Sequence, residues 1–230
     1  MSEMLEFENA SALDIALSEK VAGLLGASIA SQGSASLVVS GGRTPMGFFH
    51  LLSQQILDWS KVTVLLADER WVDADHADSN EKLVRENLLI NEASQAKYLA
   101  LKNAADQAVD GEAECAKALA ELGTFTVLIL GMGDDGHTAS LFPGSDALAA
   151  GMDMDSGRDC IAVTPLHAPH QRMSLTLPRL LNSQQIVIHI SGAGKQQVLS
   201  QAEAGDDVME LPIRSILQQQ TAPLSIYWAK

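Results

Sequence analysis

Apolar runs of strand length alternate with longer segments of helical period from one end of the chain to the other, which is the pattern of an α/β fold. Residues 4–8 read as a short strand. Ser11 stands where it could cap a helix to about Ser31, with Leu13, Leu17, Val21, Leu24 and Leu25 recurring at three and four residues, and Gly33 ends it. Residues 36–39 predict a buried strand that runs into Ser40-Gly41-Gly42-Arg43-Thr44-Pro45; Thr44 as N-cap and Pro45 at the first helical position open a helix through Gln54. Val62–Leu66 is a third strand, ending abruptly in charge. Asp78 with Glu81 makes a capping-box-like start for a helix over 79–89.

Further along, 98–101 reads as a short strand, 104–122 as an amphipathic helix and 125–130 as a strongly apolar strand. The small, acidic, poorly periodic stretch 145–159 is expected to be a surface loop. Residues 161–164 and 173–177 read as strands flanking a loop over 165–171. Ile186–Ser191 is a strand ending in a glycine turn before a helix over 196–204; a short helix over 211–218 and a strand over 224–228 close the chain. No repeat or long polar linker divides it, so residues 1–230 are expected to form one domain, a doubly wound, mostly parallel sheet with helices on both faces.

Charge narrows the choice of partner. A formal net charge of -14 argues against nucleic acid or an anionic membrane, because most of the surface would repel either. Any anionic substrate therefore needs local cations. The first twenty residues carry Glu3, Glu6, Asp14 and Glu19 with no basic region before an apolar run, unlike a secretory signal, and no stretch is long and apolar enough to span a bilayer. Two cysteines outside any C-x-x-C fit a reducing cytoplasm.

Candidate chemistry follows the strands. In an open α/β sheet the loops after the carboxyl ends of parallel strands line one crevice, and four loops qualify, starting at Ser40, Asp68, Gly131 and Ser191. The first offers backbone N–H groups, hydroxyls and an arginine, as a phosphate or sugar hydroxyl requires. Lys195 in the last could reach the same anion, and Arg172 is a further candidate cation. Asp68, Glu69 and Arg70 could anchor an anion, stabilise an oxyanion or move protons.

The stretch Leu-Gly-Met-Gly-Asp-Asp-Gly-His-Thr-Ala-Ser-Leu-Phe-Pro-Gly, residues 130–144, is the most informative. Gly131, Gly133 and Gly136 spell G-x-G-x-x-G, the dinucleotide fingerprint when a full helix follows. Pro143 and Gly144 cut such a helix short, and Asp134 and Asp135 would point carboxylates at a pyrophosphate. The turn is expected instead to present Asp135 and His137 as chemistry. In the first turn of a short helix, the dipole would keep His137 neutral, the form that deprotonates water. His167 and His170 form H-x-x-H, but no third and fourth ligand at suitable spacing announces itself, so no metal site is expected.

The set SGGRTP, ADERWV, DSNEKLVRENLL, LGMGDDGHTASLFPG, RMSLTLP and SGAGK, in this order over nearly the whole chain, resembles the 6-phosphogluconolactonase family. Related glucosamine-6-phosphate deaminases end the central motif in Asn-Glu-Pro-Gly, where this chain has Leu141-Phe142-Pro143-Gly144. Many members carry Pro-Lys-Pro before the arginine; this chain has Pro165-Leu166-His167-Ala168-Pro169, so no lysine contact is carried over. The resemblance implies a fold shared with those deaminases and with ribose-5-phosphate isomerase-type proteins. It implies hydrolysis of 6-phospho-D-glucono-1,5-lactone in the pentose phosphate pathway, without a cofactor. His137 is expected as general base and Asp135 to position it or a substrate hydroxyl. Arg70 or backbone N–H groups would stabilise the oxyanion, and Asp68 would orient the arginine or take protons. Ser40, Gly41, Gly42, Arg43, Thr44, Arg172 and Lys195 are the expected contacts to phosphate or sugar hydroxyls. The partner expected is a small sugar phosphate, the assembly a monomer or small homo-oligomer. Rival readings are a sugar-phosphate isomerase or deaminase of the same fold, and a non-enzymatic sugar-phosphate sensor.

Overall fold

A computed structural model describes residues 3–230. Seven strands, β1 (Glu3–Phe7), β2 (Ala35–Val39), β3 (Val62–Leu66), β5 (Lys97–Leu99), β6 (Val127–Leu130), β9 (Ile186–Ser191) and β10 (Leu224–Ala229), form one sheet in the order β1-β10-β9-β6-β2-β3-β5. Every pairing in it is parallel. All residues of β2 and β6 are buried, as parallel strands covered on both faces require, and this is why their sequences are unbroken apolar runs. From β2 the chain builds outward through β3 to β5, and from β6 the other way through β9 to β10. The β2–β6 boundary is thus the point where strand order reverses and where a ligand crevice opens.

Helix α1 (Ala10–Gln32) buries Leu13, Leu17, Val21 and Leu25, one residue per turn. Its cap is Asn9, whose side chain accepts from the Ala12 N–H at 2.9 Å, and not Ser11. Gly33 ends it at φ 80, as its position suggested. Helix α2 (Met46–Leu52) is shorter than expected, and Thr44 does not cap it: Pro45 holds the N-cap position with no side-chain bond. Asp14 of α1 faces this first turn instead, where the Phe48 N–H favours its charged form.

A second sheet stands outside this frame, and the sequence reading lacks it: β4 (Asp68–Arg70), β8 (Arg172–Leu175) and β7 (Cys160–Val163) pair antiparallel in the order β4-β8-β7. Ala67 is the hinge between the sheets, donating to the Val39 carbonyl at 2.8 Å and accepting from the Leu175 N–H at 2.8 Å. Residues 68–70, read as a loop, are therefore a strand leaving the large sheet for the small one.

Helix α3 (Asn80–Asn87) is capped by Ser79, whose hydroxyl accepts from the Lys82 N–H at 3.2 Å, in place of the Asp78–Glu81 box. The remaining helices are α4 (Ala108–Ala120), α5 (Leu148–Met152), α6 (Leu177–Leu181), α7 (Ala193–Glu203) and α8 (Arg214–Gln218). The stretch over 145–159 is not a plain loop, since α5 lies within it and buries Leu148.

Candidate active site

The cleft at the strand-order reversal has a volume of about 360 Å³ and receives all four of the loops singled out from the sequence. Ser40, Gly41, Gly42 and Thr44 line it after β2, Asp68 and Arg70 from β4, Gly131 to Gly133 and His137 after β6, and Lys195 from the start of α7. Arg172 of β8 also reaches it. Arg43 is exposed and does not line the cleft. Asp135 stands behind His137 and not in the wall.

No helix begins at His137, so the helix-dipole argument for its neutrality does not apply. Its surroundings are set by a turn. The Gly133 N–H donates to the His137 carbonyl at 2.8 Å, and the His137 N–H donates to Asp135 Oδ1 at 3.2 Å. The same carboxylate oxygen lies 2.5 Å from His137 Nδ1, and this hydrogen bond holds the Asp135 carboxyl below the usual carboxylate range. On its other side the imidazole packs on Phe142, ring centroids 4.4 Å apart. Gly133 is needed because a Cβ there would overlap both the His137 ring and the Asp135 carboxylate.

Arg70 and Arg172 are register partners across β4 and β8. Burial first, and then the Arg70 charge, lower the Arg172 pKa, and its Nε has no hydrogen-bond partner among the described residues. Two cations held side by side at a destabilising spacing suit an anion that is not yet present. Glu69 fixes the strand under them. Its buried carboxylate accepts from the N–H groups of Arg70 (2.7 Å), Asn80 (2.8 Å) and Glu81 (2.6 Å), tying β4 to the start of α3. Burial nevertheless raises its pKa. Arg70 Nη1 donates to the Asp78 carbonyl at 2.5 Å. Lys195 pairs at 2.5 Å with Asp134, whose side chain is 91% exposed.

Residues 8–228 match the family model described as glucosamine-6-phosphate isomerases/6-phosphogluconolactonase. The chain belongs to this family. Among its relatives, a 6-phosphogluconolactonase of Rhizobium meliloti is 46% identical over 224 residues, 97% of each chain. The structure of a 6-phosphogluconolactonase from Shewanella baltica superposes with a TM-score of 0.98 at 44% identity, covering 100% of this chain and 98% of that one. A monomeric glucosamine-6-phosphate deaminase, 16% identical, matches with a TM-score of 0.84 over 99% of this chain and 97% of its own, so the fold is common to the deaminases as well. The sheet is of the doubly wound kind expected. No helix among the described residues is long and apolar enough to cross a membrane.

Two residues that line this family member's cleft, Asn80 and His189, and one buried behind it, Ser140, are not marked as site residues by the sequence motifs. Ser140 donates to Asp68 Oδ2 at 2.6 Å while its own N–H donates to Ser174 Oγ at 3.1 Å, so it locks the His137 turn to both β4 and β8. Asn80 donates to the Asp68 carbonyl at 3.0 Å, and a Cβ at Gly41 would collide with it, so the Ser40 loop approaches α3 only through glycine. His189 lines the cleft from inside the apolar run of β9, its Nε2 lying 3.7 Å from Asp14 Oδ1. A polar residue within a buried strand run was the signal available for it.

Proposed function

We propose that this family member hydrolyses 6-phospho-D-glucono-1,5-lactone to 6-phospho-D-gluconate, as the names of its near full-length relatives indicate, with His137 as the general base. The observation that favours this assignment is the pairing of His137 Nδ1 with Asp135 on the far side of a ring that lines a cleft with Arg70, Arg172 and Lys195. The Asp135 carboxylate accepts the hydrogen bond from Nδ1–H and so leaves the Nε2 lone pair for water. Water attacks the lactone carbonyl as its proton passes to Nε2. Arg70 or a backbone N–H of the cleft stabilises the tetrahedral oxyanion, and Asp68, held by Ser140, orients the nearby donors. The C1–ring oxygen bond then breaks, and the departing alkoxide takes the proton back from the imidazolium. Arg172, Lys195 and the loop from Ser40 to Thr44 hold phosphate and sugar hydroxyls. Arg43 is left for longer-range attraction only.

A positioned base contributes about 10²–10⁴ in rate and one oxyanion donor about 10²–10³, which together suffice for an activated ester without a covalent intermediate. The two free cysteines, both buried, suit a reducing cytoplasm, and the chain acts as one domain, alone or as a small homo-oligomer.

The deaminase reading is disfavoured by Leu141, fully buried, and Phe142, packed against His137, where the deaminase motif places Asn-Glu. Freshly generated lactone and glucosamine 6-phosphate separate the readings. Release of 6-phosphogluconate above the spontaneous rate with no ammonia is expected; ammonia release without lactone hydrolysis would reverse the assignment, and tight binding without turnover of either would make the protein a sensor.

A further inference from the structure

The sequence directs attention to His167 and His170 as a pair, but His167 is exposed and joins no ligand cluster among the described residues. The structure gathers His170 with His76 and Asp78 instead, from a segment 92 residues away. One donor atom from each lies within 4.8 Å of the others. Asp78 Oδ2 is 3.0 Å from His170 Nε2 and 3.9 Å from His76 Nδ1, and the two imidazole rings stand edge to face at 5.3 Å. We propose that His76, Asp78 and His170 form a binding site for a borderline transition-metal dication such as zinc, at the rim of the cleft and separate from the lactonase chemistry.

Two features support this. The ligands sit on segments already fixed to each other, because β4 and β8 pair through Arg70 and Arg172, and the ladder is prolonged by the Trp71 N–H donating to the Gln171 carbonyl at 2.7 Å. His170 follows directly, at φ 67, a left-handed conformation uncommon for a residue with a Cβ. The donor set, two imidazoles and one carboxylate, suits zinc, cobalt or nickel and not the oxygen-seeking magnesium or calcium. Coordination at about 2.0–2.2 Å would draw the donors in by roughly an ångström, within reach of half-exposed side chains. The ion would replace the His170–Asp78 hydrogen bond and the contact in which the Asp78 N–H donates to His76 Nδ1 at 3.0 Å. Solvent completes the coordination. Because the Asp78 carbonyl also accepts from Arg70, the bound ion would clamp the rim next to that arginine.

The test is calorimetric titration of the purified, metal-stripped full chain with zinc chloride, together with the visible spectrum of the cobalt(II) form. One ion per chain, a dissociation constant of micromolar order, tetrahedral-type cobalt bands and a rise in melting temperature are expected. His76→Ala and His170→Ala should each weaken binding at least tenfold and lose the cobalt bands, whereas His167→Ala should not. Circular dichroism establishes that the variants are folded. Binding no tighter than millimolar in the wild type, or binding and spectrum unchanged in folded His76→Ala and His170→Ala, would overturn the site.

Discussion

Arg70 and Arg172 face each other across the β4–β8 ladder, and among the described residues no carboxylate is hydrogen-bonded between their guanidinium groups. Like charges directly opposite on one face of a sheet destabilise it, and Arg172 is 93% removed from solvent at 7% exposure. Arg172→Met should therefore raise KM for the phosphorylated lactone by about 10-fold or more, the scale of one lost charge-assisted hydrogen bond, while the melting temperature holds or rises. Steady-state kinetics beside thermal denaturation checks this. A fall in stability with an unchanged KM would make Arg172 a structural cation.

Lys195 is paired with an aspartate that is almost wholly in water, so substrate phosphate can displace Asp134 at little cost. Lys195→Ala should raise KM with kcat nearly kept, and the difference from wild type should shrink as salt screens the site. An unchanged KM at low ionic strength would remove Lys195 from the phosphate contacts.

Asp14 and His189 make the fold's pH dependence unusual. Burial pushes Asp14 up from 3.8 to about 6 and His189 down from 6.5 to about 4. Between those pH values the unfolded chain ionises both groups, whereas the fold holds both neutral. The fold thus binds one proton more at Asp14 and one fewer at His189, and the two slopes oppose each other. Asp14→Asn removes the part that falls with rising pH, so its stability relative to wild type should climb from pH 4 to pH 6 by about 1–3 kcal/mol. His189→Asn should show the reverse. Urea unfolding at several pH values measures both; curves parallel to wild type would show that the groups do not titrate as a pair of buried neutrals.

Ser140 is fully buried, and its hydroxyl is the hydrogen-bond partner of Asp68 Oδ2. Ser140→Ala should lower stability by about 1–3 kcal/mol, the cost of leaving a buried acceptor unpaired, and lower kcat as the His137 turn loosens from β4 and β8. Denaturant titration and kinetics on one preparation test this; full stability and activity would mean the turn is held elsewhere.

What could be read from the sequence tracks how local each signal is. Strands β3 and β9 have the bounds their apolar runs announced, and Gly33 stops α1 where expected. Strand β4 was invisible because Asp68, Glu69 and Arg70 are all charged, and what makes them a strand is a partner a hundred residues on, Arg172 to Ser174. The caps shifted for a related reason. Asn9 and Ser79 do the local work, and the start of α2 is faced by Asp14 from another helix. The cleft residues named from motifs line one place, apart from exposed Arg43 and from Asp135, which stands behind His137, whereas Ser140, Asn80, His189 and the His76–Asp78–His170 cluster depend on contacts between distant segments.

The general base is tested most directly by His137→Ala in an assay that couples lactone hydrolysis to an indicator and subtracts the spontaneous rate. With its fold established by circular dichroism, the variant should lose about 10²–10⁴ in kcat, and Asp135→Asn should lose part of the same factor. A folded His137→Ala protein that hydrolyses the lactone as fast as wild type would contradict the assignment.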